Sequence, residues 1–372
     1  MKSNYRYIVK AFMAMAVIAG TTSCDDFLDR EPMSSISPET YYSTAAQLEA
    51  NLNDEYPNVL PSFGQWTYGI FGEDKGTDNQ IEVNANDRYT QDRWKVPHSE
   101  SDNWKFERIY RINFFLSEAL PKFGEDMSGS QNTISGSVAT IKHYIGEMYF
   151  LRAYEYFKKL QLFGDFPIIN QPLADEMEAL REASKRFPRN EVARFIISDL
   201  DKAYAYMSDV DMATTRINKD AAMLVKSRVA LFEATWLQNF KGTAFVPGGE
   251  GWPGASLHNN YQYPSGNLDN EVKYFLEQAV EASKLVADKY KGNLTENTGV
   301  LQQSADDPSN PYFDMFAQED LSDVKEVLLW RQYARGLSTH NINAAAGRGN
   351  YRIGLTRGFV QNFLMKDGTP VY

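Results

Sequence analysis

The stretch from Ile141 to Leu160 constrains the fold more than any other part of this sequence. One stripe of apolar side chains recurs there at helical spacing and begins with Ile141, Tyr144, Ile145 and Met148. Further large apolar side chains lie off that stripe, namely Tyr149, Phe150, Tyr154 and Phe157. A helix that is apolar on nearly all sides packs on more than one face. We therefore expect this helix to lie between other helices.

Four further segments show the same helical period. Their apolar stripes are Ile109, Ile112, Leu116 and Leu120; Ile196, Leu200, Ala203 and Met207; Val225, Val229, Phe232 and Trp236; and Val272, Phe275, Leu276, Ala279 and Val286. Successive helix pairs stacked into a solenoid explain why the central helix is apolar all round. By analogy, we predict a mainly α fold with a tetratricopeptide-like helical repeat core, although the chain has no clean repeat signature of about 34 residues.

Side chains at the predicted helix ends agree with these boundaries. Asp102, Asn190 and Asn218 stand where N-caps are expected, and Gly164 and Gly242 follow the predicted C-terminal ends. Little β structure is expected. The apolar run "EVLLWRQYA", residues 326–334, is the one segment predicted as a strand.

Three long irregular loops separate the predicted helices. Residues 61–100 hold Trp66, Tyr68, Tyr89 and Trp94 among Gly, Asp and Asn, and we call them loop one. Loop two, residues 239–268, has six Gly, three Pro and several aromatic residues, whereas loop three, residues 335–352, is rich in Asn and Gly. Loops of this length are usually functional or disordered, and aromatic residues argue against disorder.

The first residues follow the order of a secretory signal peptide. Lys2, Arg6 and Lys10 precede an apolar run of about ten residues, which is too short to span a membrane. Small residues then lead to Cys24, the only cysteine of the chain. An unpaired thiol is a liability in an oxidising compartment, so we interpret Cys24 as the lipidated residue of a bacterial lipoprotein. The predicted organisation is a signal peptide over residues 1–23, a lipid-anchored segment over 24–40 and a helical domain over 41–372.

Charge and residue spacing exclude several function classes. The formal net charge of −11 argues against nucleic acid and against an anionic membrane surface as ligands. The histidines, His98, His143, His258 and His340, form no metal-ligand pattern, and we expect His143 to be a satisfied core residue. The many carboxylates make some close pair inevitable, so they give no specific sign of a glycoside hydrolase. We predict no catalytic residue, no metal and no cofactor.

Six stretches in order carry a resemblance to a known family. They are "CDDFLDREPMSSISPETYYSTAAQLEANLNDEYP", "WKFERIYRINFFL", "YIGEMYFLRAYEYFKKLQLFGDFPII", "PRNEVARFIISDLDKA", "INKDAAMLVKSRVALFEATW" and "LMKDGTPVY". Together they resemble the SusD/RagB family of Bacteroidota, whose members are outer-membrane surface lipoproteins. Members usually continue well past the last of these landmarks. The resemblance therefore implies that the helical domain is incomplete at its C-terminal side, as a truncated gene product or an incomplete record.

The resemblance also implies a function in polysaccharide utilisation. Family members bind oligosaccharide nutrients at the cell exterior and deliver them to a SusC-type TonB-dependent transporter. By position in the family fold, the expected ligand contacts are Tyr89 and Trp94 in loop one and Asn343 and Tyr351 in loop three, with Trp252 as a further candidate in loop two. For each aromatic residue the alternative is a ring that fixes its own loop to the helices. Two alternatives to glycan capture stay open: the same fold binding peptides, and a surface glycoside hydrolase.

Overall fold

The computed structural model describes residues 41–63, 74–82, 103–124, 126–207, 212–301, 304, 306–334 and 353–371. These residues contain nine α-helices and two short strands. The helices are α1 (Ala45–Val59), α2 (Glu107–Phe123), α3 (Val138–Phe163), α4 (Met177–Ala183), α5 (Arg189–Tyr206), α6 (Lys219–Asn239), α7 (Leu268–Tyr290), α8 (Pro311–Met315) and α9 (Arg357–Val360). The strands are β1 (Gln80–Glu82) and β2 (Ile353–Leu355). The predicted fold class, mainly α with little β structure, is confirmed.

Helix α3 lies at the centre of the helical core. It packs against α1, α2 and α5, while α6 packs between α5 and α7. One contiguous hydrophobic cluster runs from Tyr42 near the start of α1 to Val286 on α7. The expectation that α3 packs on more than one face is confirmed, and α5, α6 and α7 then pack each against the next, as in a solenoid.

The contact between α3 and α5 is unusually close at Gly146. A Cβ atom at this position would lie 2.8 Å from the Met207 backbone nitrogen and 2.9 Å from the Ala203 carbonyl oxygen. Both atoms belong to a helix end and its cap, so they have little freedom to move. Glycine is therefore required at position 146 for this helix pair to approach.

Three of the predicted caps can be compared directly with the helix ends. The Asn218 side chain accepts a hydrogen bond from the Ala221 N–H at the start of α6, and Gly164 ends α3 with a φ of 67°, so both predictions are confirmed. The prediction for Asn190 is wrong, because α5 begins at Arg189 and Asn190 lies inside its first turn. Gly242 lies two residues after the C-cap of α6, Phe240. Asp102 lies outside the described residues, and α2 begins at Glu107.

The predicted strand at residues 326–334 is also wrong. The segment is irregular in the structure, and Leu328 and Leu329 pack against the helical core. Its backbone groups bond to the start of α6 and the loop before it: the Leu328 carbonyl accepts from the Asn218 side chain at 2.6 Å, and the Trp330 N–H donates to the Thr214 carbonyl at 3.1 Å. The apolar run therefore covers the core, and its polar backbone groups are satisfied there without a strand ladder.

Candidate functional site

Two short strands pair a described part of loop one with the residues that directly follow loop three in the sequence. β1 lies inside loop one, β2 follows loop three directly, and the strands pair antiparallel with Gln80 opposite Leu355 and Glu82 opposite Ile353. We call these two paired strands the strand clasp. Glu82 is the last described residue before the second half of loop one, and Ile353 is the first described residue after loop three. The clasp therefore places Glu82, inside loop one, beside Ile353, which directly follows loop three.

Hydrogen bonds on both sides hold the strand clasp. The Thr356 N–H donates to the Asn79 carbonyl at 2.9 Å, and the Thr356 hydroxyl donates to the Asp78 carbonyl, 278 residues away in sequence. On the other side, the Gly76 N–H donates to the Gln80 carbonyl at 3.1 Å within a tight turn. The backbone carbonyls of three consecutive residues, Asp78, Asn79 and Gln80, thus accept hydrogen bonds either from their own turn or from the distant Thr356.

The strand clasp has two unlike faces, because side chains alternate along a strand. Ile81 is 53% exposed on one face. Gln80 and Glu82 share the other face, where the Lys75 ammonium lies 2.9 Å from the Glu82 carboxylate. Leu355 and Ile353 lie opposite them on the same face. This face combines amide, charged and apolar groups.

Trp252 is buried beside the segment that follows α3. Its indole N–H donates to the Asp165 carboxylate at 2.7 Å, and its ring stacks on that of His258 at a centroid distance of 6.0 Å. Only 5% of the side chain is exposed. These contacts match the alternative interpretation of Trp252, in which the ring fixes loop two to the helices. As a ligand contact, Trp252 stays a prediction.

Loop two is anchored by hydrogen bonds of two side chains, Asp165 and Tyr263, that the sequence did not single out. Asp165 accepts from Trp252 and from the Arg189 N–H at 2.9 Å, yet burial raises the pKa of its carboxyl above the ordinary value. Burial also raises the pKa of Tyr263, whose hydroxyl donates to the Pro247 carbonyl at 2.5 Å. These hydrogen bonds explain how a segment with six glycines keeps a defined path over the ends of α3 and α6.

The other predicted site residues, Cys24, Tyr89, Trp94, Asn343 and Tyr351, lie outside the described residues. Their roles in lipidation and ligand binding stay predictions. His143 is described, and it is the satisfied core residue that the sequence predicted. Its Nε2 lies 3.0 Å from the Ile217 carbonyl and 3.2 Å from the Glu147 carboxylate, and the side chain is buried.

Sequence reasoning missed a cleft of about 420 Å³ in the segment after α7, lined by Asn293, Gln318 and Lys325 among others. Its walls are held by the buried Asn310, whose Nδ2 donates to Asn297 Oδ1 and to the Val300 carbonyl, both at 3.1 Å. Because these partners are side-chain and loop atoms, the cleft has no periodic signal in the sequence.

Among the described residues, no group of three or more His, Cys, Asp or Glu side chains is arranged to hold a metal ion. In the same residues, no helix has both the length and the apolar character needed to cross a membrane.

Comparison with known proteins identifies the family. A SusD-like family model described as "Starch-binding associating with outer membrane" matches residues 26–231, which is more than half of the chain. The chain belongs to the SusD-like family. The resemblance seen in the sequence is therefore confirmed.

Curated SusD-like relatives come from Formosa agariphila. SusD-like protein P25 is 25% identical over 233 residues, which cover 58% of this chain and 41% of the relative. SusD-like protein P2 is 25% identical over 253 residues, which cover 65% of this chain and 46% of the relative. The chain thus spans less than half the length of the curated relatives it matches.

Two solved structures from Bacteroides fragilis share the fold. A SusD-like carbohydrate-binding protein matches with a TM-score of 0.55 and 14% identity, covering 90% of this chain and 56% of its own. A second SusD-like protein matches with a TM-score of 0.56 and 19% identity, covering 92% of this chain and 57% of its own. At this identity the likeness establishes the SusD-like fold alone.

Proposed function

We propose that this protein binds oligosaccharide nutrients at the cell surface and delivers them to a SusC-type TonB-dependent transporter of the outer membrane. Membership of a family described as starch-binding and associated with the outer membrane supports this proposal most directly. A fold neighbour described as carbohydrate-binding adds support. In this proposal the protein captures its ligand and catalyses no reaction.

The chemistry of the two loops fits a sugar ligand. A sugar ring has an apolar C–H face, which flat aromatic rings cover, and a rim of hydroxyls, which amide and charged side chains satisfy. Tyr89 and Trp94 supply rings in loop one, while Asn343 and Tyr351 supply an amide and a ring in loop three. The pairing of Glu82 with Ile353 supports a single site, because Tyr351 is only two residues from Ile353 and Tyr89 only seven from Glu82.

Cys24 is the proposed membrane anchor of the protein. Lipidation at this residue after removal of residues 1–23 holds the protein at the outer membrane, facing the exterior. Segment 24–40 then separates the lipid from α1. Intact mass and labelled-palmitate incorporation, compared between wild type and Cys24→Ala in a Bacteroidota host, test this anchor. A wild-type product without label contradicts it.

The experiment that tests the proposed function is calorimetric titration with a panel of neutral oligosaccharides that includes maltoheptaose. We expect wild type to bind at least one glycan of the panel without cleaving it, and Trp94→Ala to weaken that binding at least tenfold. Tyr110→Ala is the matched control, because Tyr110 is a 50% exposed aromatic residue on α2 that is not among the predicted ligand contacts. Cleavage of any glycan favours the hydrolase alternative, and binding of peptides alone favours the peptide alternative.

A further inference from the structure

The cleft after α7 is held in shape by hydrogen bonds between the short segments that form it. Its lining side chains come from residues 293–295, 309–318 and 323–325. Thr295 ties these segments together, because its N–H donates to the Glu326 carboxylate at 3.0 Å and its hydroxyl contacts the Met315 sulfur at 3.8 Å. The Tyr312 N–H also donates to the Glu296 carbonyl at 3.1 Å. A site that is formed before its ligand arrives binds at a lower cost in ordering.

The walls of the cleft combine apolar and polar groups. The buried Met315 and the half-buried Val324 supply apolar surface, whereas Asn293 and Gln318 present exposed amides. The volume of about 420 Å³ is near the lower end of the range for small-molecule sites, about 300–1,000 Å³, so the ligand is small. Among the described residues that line the cleft there is no aromatic ring on which the C–H face of a sugar could stack.

Two opposite charges at the cleft are free to bind a ligand. Among the described residues, neither the Asp323 carboxylate nor the Lys325 ammonium has a hydrogen-bond or ion-pair partner, and both side chains are exposed. Asp314 lines the same cleft, and its Oδ2 accepts from the Ser309 hydroxyl at 2.7 Å. A ligand inside the cleft excludes water from its contacts, so they are screened less than ion pairs on an open surface. The cleft therefore offers a site for a cation and a site for an anion close together.

We propose that this cleft binds a small zwitterion, namely a short peptide with a free α-ammonium and a free α-carboxylate. Lys325 binds the carboxylate, and Asp323 accepts from the ammonium, with Asp314 as a second acceptor. The amides of Asn293 and Gln318 both donate and accept, as the polar groups of a peptide bond require. This inference goes beyond the proposed function, because it concerns another part of the chain and another class of ligand.

The test begins with calorimetric titration of the full chain with the dipeptide alanyl-glutamine at pH 7. Two blocked forms are compared with it: the N-acetylated dipeptide, which lacks the ammonium, and the C-terminal amide, which lacks the carboxylate. We expect wild type to bind each blocked form at least tenfold more weakly than the free dipeptide, because each has lost one charge-assisted contact. Equal affinity for the free and blocked forms overturns the inference, and so does the absence of binding.

Two variants then locate the two contacts. Lys325→Met removes the ammonium and Asp323→Asn removes the carboxylate charge, and we expect each to weaken binding of the free dipeptide at least tenfold. The losses should not add to those of the matching blocks: Lys325→Met should no longer distinguish the amide from the free acid, and Asp323→Asn should distinguish the acetylated form less. Lys366→Met and Asp175→Asn, at exposed residues outside the cleft, are the matched controls and should bind as wild type does.

The outcome for this cleft is separable from the outcome for the proposed glycan site. All four substituted side chains are exposed, so an unchanged thermal midpoint shows that a loss of affinity is not a loss of folding. Dipeptide binding that depends on Trp94 and not on Lys325 places the ligand at loop one, and this inference then fails in favour of the peptide alternative. If wild type binds glycans of the panel but no dipeptide, the proposed function stands and only this inference fails.

Discussion

Arg152 on α3 and Asp199 on α5 form a two-pronged ion pair inside the helical core. The Nε–Oδ2 distance is 2.6 Å and the Nη2–Oδ1 distance is 2.8 Å, and neither residue is more than 3% exposed. Arg152 also donates to Asn113 Oδ1 at 2.9 Å and to the Asn170 carbonyl at 3.1 Å. One buried guanidinium thus joins α2, α3, α5 and the segment that follows α3.

The first prediction concerns this ion pair. Asp199→Asn keeps the shape of the side chain but leaves the charge of Arg152 buried without compensation. Loss of one partner from a buried pair costs about 3–5 kcal/mol, and we expect a decrease of that size in the free energy of unfolding, measured with urea. Asp269→Asn, in an exposed pair with Lys241, serves as control and should change little. Equal effects of the two substitutions would contradict the prediction.

The second prediction concerns the pH dependence of stability. Burial alone would raise the pKa of Glu271, but hydrogen bonds from Arg194, Asn190 and Ser265 hold it below the ordinary value of 4.5. A carboxyl whose pKa is lower in the folded state stabilises the protein above its unfolded pKa. That contribution is lost as the pH falls from about 4.5 through the folded pKa.

We therefore expect Glu271→Gln to be less stable than wild type at neutral pH. Below pH 4.5 the difference in the free energy of unfolding should shrink, because wild type loses the contribution of the ionised carboxylate and the variant has none to lose. Urea unfolding at a series of pH values from 3 to 7 measures this difference. A difference that stays constant across the series would show that the carboxyl has the same pKa in both states.

The third prediction concerns Gly146, where two effects oppose each other. Alanine has the higher helix propensity by about 1 kcal/mol. At this position, however, its Cβ would lie within 2.9 Å of backbone atoms of Met207 and Ala203. Overpacking costs about 1–3 kcal/mol, so we expect Gly146→Ala to lower the free energy of unfolding. Gly358→Ala, in α9 and with no atom within 4 Å of the new Cβ, is the control for propensity without a clash.

The helices could be predicted from sequence because their signal is local. Apolar residues repeat every three to four positions along α2, α3, α5, α6 and α7, and the predicted stripe of α5 is fully buried. In α6, by contrast, Val225, Phe232 and Trp236 are only half-buried, and in α7 Leu276 is 36% exposed. Asn190 shows where a local signal fails. Its position resembles an N-cap, but its side chain donates to Glu271 Oε1 at 3.0 Å, 81 residues away. A sequence pattern cannot distinguish a cap from a tether to a distant helix.

The strand clasp lay beyond sequence reasoning for a similar reason. Three-residue strands carry no clear alternation, and the pairing of β1 with β2 joins segments from opposite ends of the described chain. Loops one and three were recognised by composition, but their neighbouring ends follow only from that pairing. Gln80 and Asn310 were missed because burial is what distinguishes these two polar residues, and the composition of a loop does not reveal burial.

The fourth prediction separates the two readings of Trp252. Trp252→Phe keeps an aromatic ring and removes the N–H that donates to the half-buried Asp165. An unsatisfied buried acceptor costs about 1–3 kcal/mol, so the free energy of unfolding should fall while glycan affinity stays unchanged. In a double-mutant cycle with Asp165→Leu, the two losses should not add, because the residues share one hydrogen bond. Weaker glycan binding by folded Trp252→Phe would favour the ligand-contact reading.

The fifth prediction tests the register of the strand clasp. Because the Thr356 N–H bonds the Asn79 carbonyl across the pair, Glu82 and Ile353 form a non-hydrogen-bonded pair, with Cα atoms expected about 4.5 Å apart. That spacing is within reach of a disulfide. In a Cys24→Ser background, Glu82→Cys with Ile353→Cys should therefore cross-link on mild oxidation, as judged by non-reducing electrophoresis.

Closing a loop of this length should also stabilise the protein by about 4–5 kcal/mol in urea unfolding, reduced by the contribution of the ion pair that is lost with Glu82. Ile81→Cys with Ile353→Cys places the thiols on opposite faces of the clasp and should remain reduced; cross-linking of this control instead of the first pair would show that the register is shifted by one residue.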